Sequence, residues 1–133
     1  MMTRHAGWQA RLAAFLAATA REPFSPGTHD CALFAAQAVL AQTGVDFAAD
    51  WRGRYSTLRG GMRVLRRAGH ADHIALARSL FPSISKPRPG DLAVLNTAHG
   101  PALGVVQGVM IYAPAEIGWC LVPLGAAIEF LEV

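Results

Sequence analysis

Cys31 follows Asp30 and opens the apolar run Ala32, Leu33, Phe34, Ala35 and Ala36. A thiol in the first turn of a helix meets the positive end of the helix dipole and backbone N–H groups that have no helical partner. Both stabilise thiolate, and the same N–H groups can hold an oxyanion. Attack on an acyl carbon is the chemistry such a seat offers, while a small buried core residue is the competing reading. A thiol of ordinary pKa, about 8.5, is only a few per cent ionised at neutral pH, so catalysis needs an imidazole beside it. His29 and His99 are the candidates. His29 either reaches the sulfur from the preceding loop or shapes the helix start. His99 lies in Ala98-His99-Gly100-Pro101 and is either a base, brought round by a bulge at Gly100, or a solvent-facing loop histidine. His70, Asp72 and His73 could begin a metal site, but further ligands at the usual spacing are missing, so a solvated loop is expected there. No phosphate-binding loop or dinucleotide fingerprint is present, and no cofactor is expected.

The elements that must position these residues come in two halves. A first amphipathic helix is expected from His5 to Arg21, stopped by Pro23 and Pro26, with Phe24 as a core anchor. A second runs from Cys31 to Gln42, capped by Asp30 or Thr28, ended by Gly44, and apolar nearly all round, hence buried. Ser56-Thr57 caps a third through Arg67, with Leu58, Met62 and Leu65 towards the core and Arg59, Arg63, Arg66 and Arg67 outward. A short fourth helix spans Ala71 to Leu80. From Asp91 onward, short apolar runs alternate with Gly and Pro. The expected strands are Leu92–Leu95, Ala102–Gln107, Val109–Tyr112, Trp119–Val122 and Ala127–Val133, forming one curved antiparallel sheet. The fold class is therefore α+β in one domain over 1–133, with a helical part over 1–82 and a strand part over 89–133.

Charged residues make up 16% of the 133-residue chain, against roughly 25% in typical soluble domains. With a mean hydropathy of +0.29, apolar surface should exceed what one core hides, which points to an assembly partner. All twelve cations, eleven of them arginine, lie at or before Arg88, while residues 89–133 hold only Asp91, Glu116, Glu129 and Glu132. The arginine stripe suits an acidic protein rim; no aromatic interleaving supports nucleic acid. Two cysteines, Cys31 and Cys120, are too few for a disulfide framework and read as thiols, although sequence alone leaves a bridge between them open. No apolar run reaches the roughly 18 residues of a membrane span. Ala18-Thr19-Ala20 resembles a signal-peptidase site, but Arg11 interrupts the apolar stretch before it and the spacing there is helical.

Gly27, Asp30 and Cys31 before an apolar helix, Arg88-Pro89-Gly90-Asp91-Leu92 at the first strand, and Leu103-Gly104-Val105-Val106 with Gly108 on the second together resemble the NlpC-type branch of papain-like cysteine peptidases. The Trp-containing first helix and Arg52-Gly53-Arg54-Tyr55 are similar to an uncharacterised phage-associated branch of that fold. The resemblance implies helices packed on a curved antiparallel sheet, Cys31 as nucleophile on amides of cell-wall peptides, and a histidine on the second strand. That histidine's position holds Ala102, and the orienting position falls on Tyr112. Two functions are therefore expected. One is a catalytically silent structural component of a phage tail tip or baseplate, residing in the virion tail or else the cytoplasm, and contacting other tail proteins through apolar surface and arginines. The other is an active peptidoglycan amidase or endopeptidase using Cys31 with His99, or with His29.

Overall fold

The computed structural model describes residues 2–133. Among the described residues, four α-helices, α1 (Trp8–Ala18), α2 (Cys31–Thr43), α3 (Leu58–Arg67) and α4 (His73–Leu80), precede all six strands of an antiparallel sheet. The strands are β1 (Ser83–Ile84), β2 (Leu92–Thr97), β3 (Gly100–Gln107), β4 (Met110–Pro114), β5 (Trp119–Pro123) and β6 (Ala127–Leu131), in the order β1-β6-β2-β3-β4-β5. The architecture is α+β, as the run of helices followed by strands implies. No helix among the described residues is long and apolar enough to cross a membrane.

Helix α2 is the axis of the molecule. Leu33, Phe34, Ala35, Ala36, Ala38 and Val39 are all buried. Its small residues let the sheet and α1 approach on different sides, and Leu12 and Leu16 of α1 join Phe34, Val94, Leu103 and Val105 in one core cluster. α1 is shorter than its apolar periodicity suggests. Gly7 adopts a left-handed φ of 78° ahead of it, and at its end the Thr19 hydroxyl turns back to the carbonyls of Phe15 and Leu16. The Leu16 carbonyl also accepts from the Trp119 indole at 2.8 Å, which ties α1 to β5.

Alternation along the strands gives the sheet two buried faces. Leu92 and Val94 of β2 face the helices, while Ala93 and Leu95 join Val106, Ile111 and Ala113 on the other side. That second cluster is completed by Val122, Leu124, Ala127 and Phe130, all from the strand half, so the sheet covers this face by curling on itself. A register shift between Val94 and Leu95, where β2 meets β6, contributes to the bend. Close approach of β4 requires Gly104, because a Cβ there would lie 2.5 Å from Ile111 Cγ2.

Asp91 locks the two halves together. Its fully buried carboxylate accepts from the backbone N–H groups of Arg88 and Val133 and from Arg4 Nη2 at 3.0 Å. Arg4 also donates to Gln42 Oε1 and to the Pro89 carbonyl, and its guanidinium lies over the Trp8 ring. The Arg88-Pro89-Gly90-Asp91 stretch is thus a structural clasp joining the start of the chain, the end of α2 and the last strand.

Candidate active site

Asp30 caps α2 in extended conformation and accepts from Leu33 N–H through Oδ1 at 3.0 Å. Its Oδ2 accepts from Gly27 N–H at 3.0 Å and from the Tyr55 hydroxyl at 2.6 Å. The carboxylate is nearly completely buried, with three donors satisfying it. Hydrogen bonding to a neighbouring carboxylate, together with burial, pushes the Tyr55 phenol well above its ordinary range. Tyr55 is pinned in turn by Gly27, whose φ is +84° and whose absent Cβ would collide with the Tyr55 carbonyl. The result is a rigid frame around the first turn of α2, with Cys31 as its first residue.

The imidazole that meets the sulfur comes from α4. His73 Nε2 lies 3.4 Å from Cys31 Sγ. α4 repeats the local design of α2: Asp72 is its cap, accepting from Ala75 N–H at 2.8 Å, and His73 is its first residue. Two helix starts, each an aspartate followed by a reactive side chain, therefore converge on one point. Ile74, Leu76 and Ala77 bury the inner face of α4 and fix its position against the core.

Burial dominates the electrostatics of the pair. It pushes the Cys31 thiol up to about 11, against the opposing pull of the Leu103, Ala32 and Cys31 backbone N–H groups, with the Asp30 charge adding to the rise. Burial likewise lowers the pKa of His73, opposed by Asp72, Asp30 and the Pro101 carbonyl. Both shifts favour a neutral thiol beside a neutral imidazole at rest. The Leu103 N–H is free to face the sulfur because β3 pairs with β4 only from Val105 onward. The N–H groups of Cys31 and Ala32 sit in the first turn, where no helical acceptor exists.

The pair lies on a cleft of about 840 Å³ bounded by α3, α4, the 46–55 connector and the tips of the β2–β3 and β4–β5 hairpins. His99 lines this cleft, but its backbone turns on Thr97 Oγ1 in the hairpin, and the place beside the sulfur belongs to His73. His29 is buried edge-on against Phe34, and its Nε2 has no partner among the described residues; burial lowers its pKa. Tyr112 stacks on Trp119, with ring centroids 4.7 Å apart, away from the cleft wall. Phe24 lines the cleft instead of anchoring the core, and Leu58 stays 55% exposed at its mouth. Cys120 is an exposed free thiol on β5.

His73, and neither His99 nor His29, is the imidazole beside Cys31, which corrects both candidate assignments. The strand position holds Ala102, and the imidazole arrives from the opposite, helical side. Neither is the 70–73 segment a solvated loop: His70 rests edge-on against Trp51, Asp72 caps α4 and His73 faces the thiol. Among the described residues, no group of three His, Cys, Asp or Glu side chains is placed to hold a metal. Sequence reading missed His73 because 42 residues separate it from Cys31. The available signal was the repeated pattern of a capping aspartate followed by a chemically active residue at a helix start.

Residues 3–133 match the family model described as a domain of unknown function, DUF6950, and the chain belongs to that family. No curated protein matches the chain, and no solved structure does.

Proposed function

We propose that this chain is a cysteine-dependent acyl hydrolase of papain-like, NlpC-type kind, in which a helical histidine replaces the strand histidine of that pattern. The observation that carries the reading is the 3.4 Å separation of Cys31 Sγ and His73 Nε2 on the cleft wall. Starting from the neutral pair, the sulfur adds to the substrate carbonyl as His73 Nε2 takes the thiol proton. The N–H groups of Cys31 and Ala32 are suited to receive the developing oxyanion. Collapse expels the leaving group, an amine for an amide substrate, which accepts the proton from His73 and leaves a thioester on Cys31. Water then loses a proton to His73 as it attacks the thioester, and that proton returns to the sulfur when the carboxylic acid departs.

The resemblance to NlpC-type peptidases supports amides of cell-wall peptides as the target, and a phage tail as the setting in which opening the wall is useful. A silent structural role is the second reading, favoured by the high pKa of the thiol and by exposed Val109, Ile117 and Ile128, which offer apolar contact to a neighbour. Release of peptide from purified peptidoglycan, by wild type against Cys31→Ala and His73→Ala, separates the two. Hydrolysis that falls by on the order of a thousandfold or more in each variant is the expected result. Burial lowers the His73 pKa from its ordinary 6.5, so the decline of the rate on acidification should lie below that pH. Turnover equal in wild type and Cys31→Ala would end the enzyme reading.

A further inference from the structure

On the cysteine-nucleophile part of that reading, and in place of its cell-wall peptide target, we propose that the acyl half of the substrate is a long apolar chain, seated along α3 and the 46–55 connector with its carbonyl at Cys31. The cleft is divided by the elements that build it. Its helical side presents Phe47, Trp51, Met62, Leu65 and Leu76, whereas the hairpin side presents Thr97, His99 and Glu116 beside Pro101, Pro114 and Ala115. No lysine or arginine lines either part. A substrate whose acyl half carries carboxylates would meet Asp30 and Asp72 with no cation to pair with among the described lining residues, and its desolvation would go uncompensated.

The amphipathic character of α3 fits this role. Its arginines Arg59, Arg63, Arg66 and Arg67 are exposed, while Met62 and Leu65 face the cleft and Leu58, 55% exposed, marks the mouth. The cleft volume of about 840 Å³ also lies within the range of roughly 300–1,000 Å³ typical of sites that enclose small organic ligands. The scissile carbonyl then sits at the junction, and the leaving group departs past the hairpin tips. In the acylation step the Cys31 sulfur bonds to the acyl carbon, the leaving group takes the thiol proton by way of His73, and nothing is oxidised or reduced.

The test compares S-butanoyl and S-octanoyl N-acetylcysteamine thioesters on the full chain, reading acylation of Cys31 by intact mass with Cys31→Ala as the control. Each buried methylene favours binding about fourfold, so the octanoyl donor should react on the order of a hundredfold faster at subsaturating concentration. Met62→Trp, which fills the chain site, should bring the octanoyl rate down towards the butanoyl rate; Leu58→Ser, at an exposed position, should reduce the preference by severalfold. Equal rates for the two donors, or a preference indifferent to both α3 substitutions, overturn the acyl-chain inference and leave Cys31 as nucleophile. Acylation by neither donor overturns the inference, and the hydrolase reading falls with it only if peptidoglycan turnover is also equal in wild type and Cys31→Ala.

Discussion

The burial of Cys31 makes its reactivity towards a small alkylating agent the most exposed consequence of the site geometry. With the thiol raised from 9.0 to about 11, the thiolate population of Cys31 at neutral pH is roughly a hundredfold smaller than that of a free thiol. Iodoacetamide should therefore modify Cys31 slowly at pH 7.5, with a rate that climbs about tenfold per pH unit into the alkaline range. The scan is run on Cys120→Ser, because Cys120 is exposed and would mask the signal. The same shift enters stability with a definite sign. Between the unfolded pKa of 9.0 and the folded value, the unfolded chain has released a proton that the native thiol retains, so this contribution is full below pH 9.0 and is lost as pH rises towards about 11. The loss is at most about 3 kcal/mol, and Cys31→Ala should remove that component from the pH dependence of urea midpoints. A labelling midpoint below about pH 7 would refute the reasoning, since it would mean a thiolate–imidazolium pair already formed at rest.

Two further outcomes follow from the polar frame. Asp30→Ala leaves the Gly27 and Leu33 N–H groups and the Tyr55 hydroxyl without their acceptor and removes the cap of α2, so denaturant unfolding should show a loss of about 2–4 kcal/mol; Tyr55→Phe, which keeps both backbone bonds, should lose about 1 kcal/mol. Arg4→Ala strands the buried Asp91 carboxylate and frees Gln42, and should cost about 3 kcal/mol in denaturant unfolding.

Much of the frame was legible in the amino-acid order because it depends on neighbours in sequence. The apolar content of the second helix, its start at Cys31, the Asp30 cap and the Gly44 stop are local matters, and α2 forms from Cys31 to Thr43 with Asp30 bonded to Leu33 N–H and Gly44 at a left-handed φ of 76°. The change from 3.6-residue spacing to short alternating runs near Asp91 likewise marks where sheet replaces helix. The two-residue strand β1 carries no such pattern; it exists only because Ser83 and Ile84 find the edge of β6.

Chain order established a capped nucleophile and a front-loaded charge distribution, but the identity of its partner base was decided by tertiary packing. A histidine at the first residue of α4 has no local mark of proximity to a thiol 42 positions away. It reaches the sulfur because the buried side chains of α4 seat that short helix in one orientation, and because β3 passes its unpaired Leu103 N–H along the other side of the same atom. Local spacing sets which groups a helix start presents, whereas only the closing of the core sets which of those starts face each other.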